Sequence, residues 1–290
     1  MMLCTQAATV WAEPIVFTDD LGRNVQLEAP AKRIIALYGA FNEILAAMGL
    51  EDRIVGRTKA DLLPPSIVDK PSIGTHMRPN VELVVGLRPD LVLQMGGRKD
   101  ASLPVEQLQE LGLTTAFFNV TDFPSLMRVI TILGEATGQP DAASRLVDSM
   151  QHRLDAVKTR IPNGTRPSVF FEVRENTLLA AGTTSMVNAI IDAAGGQNAV
   201  TVNKKLVRTS EEELLRLDPD VYLYQEGAMN QSPTPPTDRP RYGGLHAVQS
   251  NRTYRVDEQE FSRPGPRNID AVERLATWLY PETSSAETAQ

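Results

Sequence analysis

One cysteine, three histidines and an aromatic content of 6% leave this 290-residue chain short of several kinds of chemistry. Cys4, standing alone, can form neither an internal disulfide nor a thiolate metal cluster. His76, His152 and His246 include no pair at the i,i+4 spacing of a helical metal site. No Gly-x-Ser-x-Gly nucleophile elbow occurs. No apolar run reaches the ~18 residues that cross a bilayer as a helix. Positive charge is also in deficit, with 29 Lys and Arg against 36 Asp and Glu for a net charge of -7. Wrapping nucleic acid requires clustered cations, so no nucleic-acid partner is expected.

What remains is an ordinary globular composition, 42% hydrophobic and 22% charged, long enough for two lobes that each bury a core. The uncharged start MMLCTQAATVWAEP ends in Val10-Trp11-Ala12, the small-residue pattern that precedes signal cleavage. Residues 1–13 are therefore expected to be a signal-peptide remnant and the protein to be exported to the periplasm.

The segment IVFTDDLGRNVQLEAP predicts a hairpin around Asp20-Leu21-Gly22. RIIALYG then predicts a strand, and AFNEILAAMGL a helix with apolar residues at Phe41, Ile44, Leu45 and Met48. The strands IVGRT, PDLVLQM and TAFFNV, separated by the helical patterns NVELVVGL and LPVEQLQELG, imply a mostly parallel sheet covered by helices. Between Pro140 and Pro162 the apolar residues Leu146, Met150, Leu154, Val157 and Ile161 recur at helical spacing. That predicts one rod of roughly 33 Å. The alternation restarts with PSVFFEVR, TLLAAG and SMVNAIIDAAGG; SPTPPTDRPR reads as a loop, and RNIDAVERLATWLYPE as a closing helix. The expected fold is α/β: an N-terminal lobe over 14–139, a linker helix over 140–162, a C-terminal lobe over 163–282 and a tail over 283–290.

The two lobes share a design. RPNVELVVGLRPDLVLQMGG (78–97) and RTSEEELLRLDPDVYLYQEG (208–227) match at seven positions: Arg78/Arg208, Glu82/Glu212, Leu87/Leu217, Pro89/Pro219, Asp90/Asp220, Leu93/Leu223 and Gly97/Gly227. The constant offset of 130 residues is a domain's length rather than a solenoid period. Pro stops a helix and Asp-hydrophobic starts a strand, which accounts for Pro89, Asp90, Pro219 and Asp220. Glu82 and Glu212 are either exposed helix charges or a matched pair of docking points.

In parallel sheets ligands sit beyond the carboxyl ends of the strands. That rule selects Tyr38, Arg57, Lys59, His76, Arg78, Arg98 and Asn119 to Asp122 in the first lobe. In the second it selects Arg174, Thr184 within Thr183 to Met186, Lys204, Arg208, Glu226 and Arg263, with Tyr242 and Phe261 as aromatic cover. The basic loops in an acidic chain point to an anionic chelate, because guanidinium groups pair bidentately with carboxylate, phosphate or catecholate oxygens. Should the metal be ligated directly, His76 and Tyr38 are the candidate axial ligands.

In order and spacing, DDLGRNVQLEAPAKRIIAL, GAFNEILAAMGLEDRIVG, GTHMRPNVELVVGLRPDLVL and RPGPRNIDAVERLATWLYPE together resemble the substrate-binding proteins of iron-siderophore, haem and cobalamin ABC importers. The resemblance runs from Phe17 to Glu282 and implies two α/β lobes joined by one rigid helix, with little hinge motion. It implies a monomeric periplasmic carrier without resident cofactor, which takes an iron or cobalt chelate between its lobes and delivers it to a permease dimer. The leading cargo is a ferric siderophore; haem and a corrinoid are the alternatives. It further implies that Glu82 and Glu212 dock onto permease arginines. Phe41-Asn42-Glu43 departs from the family's Thr-Glu at the start of the first helix. The competing enzyme reading is a metal chelatase using His76 with Glu172 or Glu260.

Overall fold

The computed structural model describes residues 13–96 and 101–281. The chain gathers into two compact units: one from Met1–Asn42, Leu50–Phe118 and Ile132–Ala142, the other from Glu43–Gly49, Asn119–Thr131 and Ala143–Gln290.

In the first unit, β1 (Ile15–Thr18) and β2 (Asn24–Leu27) form an antiparallel hairpin. A parallel sheet follows, built from β3 (Ile34–Ala36), β4 (Ile54–Gly56), β7 (Leu91–Met95) and β8 (Thr115–Phe118) in the order β4-β3-β7-β8. All residues of β3, β7 and β8 are buried, so these strands read as continuous apolar runs rather than alternations. The two-residue strands β5 (Gly74–Thr75) and β6 (Arg78–Pro79) pair beside them. Three helices come from this stretch of chain: α1 (Ala40–Ala47), α2 (Val81–Gly86) and α3 (Leu103–Glu110). α4 (Phe123–Ala136) and α5 (Pro140–Arg160) each have residues in both units. At 21 residues, α5 is about 31 Å long.

The second unit carries a mixed sheet of β9 (Ser168–Arg174), β10 (Leu179–Ala181), β12 (Leu206–Arg208), β13 (Val221–Glu226) and β14 (Thr253–Asp257), ordered β12-β10-β9-β13-β14. β9, β13 and β14 are parallel, β10 alone runs antiparallel between β9 and β12, and β11 (Gln197–Asn198) pairs parallel with β9. The helices are α6 (Met186–Ala193), α7 (Glu211–Leu217), α8 (His246–Gln249), α9 (Glu258–Phe261) and α10 (Asn268–Leu279). Arg153 of α5 holds α10 through a two-pronged bond to Glu273 and a third contact with Asp270. The proline-rich segment stays out of the sheet, with only the 3-10 turn Pro236–Asp238 inside it.

The repeated Leu-x-Pro-Asp sets strand register in both units. The Asp90 carboxylate accepts from the amides of Lys32 and Arg33 at 2.8 and 2.9 Å, and so fixes the entry of β3 beside β7. Asp220 does the same for β9, accepting from the Ser168 amide at 2.7 Å and its hydroxyl at 2.8 Å. The residues that leave the preceding helices, Arg88 (φ 47°) and Asp218 (φ 38°), are left-handed, a second match at the 130-residue offset.

Candidate functional site

Tyr38 follows β3 at the carboxyl edge of the first sheet, and His76 sits in the turn between β5 and β6. Their half-buried rings meet edge to face with centroids 6.0 Å apart. Gln94, fully buried on β7, donates from Nε2 to the His76 carbonyl at 3.0 Å, while its Oε1 accepts from the Met95 amide. A polar side chain inside an apolar strand is thereby satisfied and ties the His76 turn to the sheet. Gly74 opens this turn at φ 96°, and a Cβ there would lie 2.9 Å from the Arg78 carbonyl. Glycine is required by both conformation and space.

The basic residues of this edge divide into two kinds. Arg57 turns onto its own loop, donating to the carbonyls of Val68 at 2.9 Å and Thr58 at 3.1 Å, so the expected ligand cation is in part a loop brace. Lys59 and Arg78 are exposed. Arg98 and Gly97 lie outside the described residues, as do the signal-like segment with Cys4 and residues 282–290 of the tail.

On the second unit, Arg174 ends β9 half-buried, and its Nε is buried without a hydrogen-bond partner among the described residues. Thr184, Lys204 and Arg208 are exposed and Arg263 is half-buried. Gly182 donates to the Lys205 carbonyl at 3.1 Å, and Thr183 to Val202 at 3.0 Å, bringing the 202–205 segment against the end of β10. A Cβ on Gly182 would stand only 2.2 Å from the Lys204 carbonyl oxygen.

Two expected aromatic contacts are corrected. Phe261 is fully buried, with its ring near those of Phe171 and Trp278, and Tyr242 is 3% exposed inside the cluster of Phe170, Tyr222 and Leu245. Neither presents a face to a ligand. Tyr242 instead lies under Arg239, whose guanidinium carbon is 5.4 Å from the ring centroid. Arg239 leaves the proline-rich loop to grip Glu172, donating from Nη1 to Oε2 and from Nη2 to Oε1, the latter at 2.9 Å. It also donates to the Thr234 carbonyl at 2.8 and 2.6 Å. Tyr222 adds its hydroxyl to Glu172 at 2.7 Å. Burial, and then the charge of Glu172, push the Tyr222 phenol well above its usual value, so it remains a neutral donor. Burial pulls the Arg239 guanidinium down, but its bond to Glu172 outweighs this and holds it fully charged.

Both oxygens of Glu172 are thereby engaged and its side chain has no exposed surface, so the chelatase role suggested for it is withdrawn. Burial raises the Glu260 carboxyl, opposed by nearby Arg274, whose Nη1 lies 3.2 Å from Oε2. His152 and His246 are both exposed, and the His246 ring lies 3.4 Å from the Ser250 hydroxyl. Among the described residues no group of three or more His, Cys, Asp and Glu could hold a metal ion.

Glu43, the acidic residue kept in the departing motif, accepts a bidentate bond from Arg267, the residue before α10. Sequence reasoning missed this contact, as it missed Arg239–Glu172, because the partners stand 224 and 67 residues apart. Glu82 and Glu212 are exposed on the first turns of α2 and α7, whose N-caps Asn80 and Ser210 accept from the Leu83 and Glu213 amides.

The chain is an α/β protein whose parallel strands end in loops carrying exposed cations and half-buried rings. Residues 34–260 match the family model described as periplasmic binding protein, and the chain belongs to that family. It is 30% identical over 276 residues to the uncharacterized ABC transporter substrate-binding lipoprotein YvrC of Bacillus subtilis, covering 93% of this chain and 87% of that one. It is 24% identical to the vitamin B12-binding protein of Vibrio cholerae, over 86% of this chain and 90% of the other. Its fold is shared with the periplasmic heme-binding protein RhuT of Roseiflexus, at a TM-score of 0.75 and 23% identity over 87% of this chain and 99% of that one.

Proposed function

We propose that this protein is a non-catalytic, monomeric, extracytoplasmic carrier that binds a metal chelate and delivers it to the permease dimer of an ABC importer. The chelate is a tetrapyrrole, haem or a corrinoid. The observation that carries this reading is the Tyr38–His76 ring pair at the carboxyl end of β3, held by the buried Gln94. A phenol and an imidazole side by side supply the two oxygen and nitrogen donors suited to a ferric or cobalt centre. Relatives named for binding vitamin B12, and the heme uptake protein IsdE of Staphylococcus aureus at 28% identity, support the same class. Export is supported by the lipoprotein and periplasmic relatives; no helix among the described residues is long and apolar enough to cross a membrane.

Lys59 and Arg78, exposed near the same edge, favour a second reading in which the cargo is an anionic ferric siderophore. Absorbance and tryptophan-fluorescence titrations with haem, a corrinoid and a ferric tris-catecholate separate the two. The tetrapyrrole reading expects a Soret shift or a corrinoid band shift that Tyr38→Phe and His76→Ala weaken. Quenching by the catecholate alone moves the assignment to the siderophore, and silence toward all three removes the carrier reading. Delivery rests on Glu82 and Glu212, each offered to a permease arginine.

A further inference from the structure

Six of the repeat-matched residues, Pro89, Asp90, Leu93 and their partners in the second copy, have structural explanations in helix termination, strand entry and core burial. Exposed matches have no such explanation. Glu82 and Glu212 are one exposed pair. A second pair, less visible in the sequence because the residues differ, is Val85 and Leu215, 38% and 39% exposed at equivalent positions of the two copies. Each follows its glutamate by three residues on a short helix, and residues three apart lie on one face of a helix. A single exposed valine or leucine is unremarkable on any surface. The same apolar exposure, beside the same acid, at the same point of two compact units is not random scatter.

We infer that Val85 and Leu215 are the apolar halves of two matched contacts with the permease. Each unit presents an acidic and an apolar side chain, one helical turn apart, to a permease loop carrying a cation flanked by an apolar side chain. This deepens the docking reading and rests on it. The occupant follows from complementarity: a carboxylate rim selects a cation, the adjoining Val or Leu selects apolar cover, and two copies of the patch suit a partner made of two like subunits. The next position differs between the copies: α2 ends in Gly86, whereas α7 has Arg216, held by Glu213 at 2.7 and 2.8 Å.

The test measures binding of the purified protein, loaded with haem or with a corrinoid, to the permease in proteoliposomes, alongside titration with the same two compounds and sedimentation. Val85→Ser with Leu215→Ser is expected to weaken permease binding about tenfold or more. Ligand affinity and Tm stay unchanged, and Val85→Leu with Leu215→Val retains binding. The wild type is also expected to keep a salt-resistant fraction of its binding that the serine variant lacks, since salt screens the glutamates but not apolar contact. If Glu82→Ala with Glu212→Ala abolishes binding while the serine variant binds like wild type, the inference fails and docking through the glutamates stands. If neither variant changes binding, the docking reading itself fails. A wild-type dimer that the serine variant dissociates, with permease binding intact, assigns the patches to self-association and overturns the inference.

Discussion

Removing Arg239 tests whether the proline-rich loop is held from inside the core. Among the described residues its guanidinium is the cation paired with Glu172, which has no exposed surface, and it spends three further donor contacts on the Thr234 carbonyl and the Tyr222 oxygen. Breaking one side of a buried ion pair costs about 3–5 kcal/mol, because the remaining charge stays desolvated without compensation. For a domain of this scale Arg239→Met therefore lowers Tm by roughly 6–20 °C in calorimetry. The loop loses its tether at the same time, so limited trypsin digestion is expected to cut after the exposed Arg241 in the variant and to spare the wild type. The reasoning also predicts an asymmetry. Glu172→Leu with Arg239→Met and Tyr222→Phe leaves no unpaired charge or hydroxyl, and recovers most of the lost stability. A loss below about 1 kcal/mol in the single variant, or a triple variant no more stable than the single, refutes the account.

Arg153→Ala releases α10 from α5 at a partly exposed site, so it costs about 1 kcal/mol or less near neutral pH. The hydrogen bond from Arg153 holds the Glu273 carboxyl below its ordinary value. A depressed carboxylate stabilises the fold above its unfolded pKa and loses that contribution as pH falls through the folded value. The Tm difference between wild type and variant therefore closes as pH drops below about 4 in a thermal-melt series. Asp90→Ala and Asp220→Ala each remove the acceptor at a strand entry and are expected to cost about 1–2 kcal/mol in urea denaturation. Hydrogen exchange rises first at Lys32 and Arg33 in one variant and at Ser168 in the other; a rise confined to distant loops would contradict the register role. Gly74→Ala, forced into a left-handed backbone against the Arg78 carbonyl, disturbs the His76 turn and weakens chelate binding more than global stability.

Strands and helices with strong periodicity were legible. The hairpin, β3, β4, β7 to β10, β13, α1 to α3, α5 to α7 and α10 lie where apolar spacing and Gly or Pro punctuation predict them. α4 was not read, although Arg128, Thr131 and Glu135 form an exposed stripe at helical spacing opposite the buried Leu126, Val129, Ile130 and Leu133. β14 was missed too: TYRVD is short and its register comes from pairing with β13 rather than from its own pattern. At the candidate site, the carboxyl-end rule picked Tyr38 and His76, which the fold brings into ring contact, because it depends on local strand-turn order. It failed for Phe261 and Tyr242, whose positions in the chain said nothing of which way the side chains turn. Arg239 and Glu172 were hidden for a related reason. A cation in a run of prolines reads as solvated until the fold brings a buried carboxylate to it.

The place of Lys204 is decided by an atom that is absent. Because the 202–205 strip lies directly over Gly182, even one methyl group at position 182 would lift the strip from β10 and carry the lysine with it. Relatives that differ at this position are expected to carry this strip at a different height above β10, without any substitution in the strip itself.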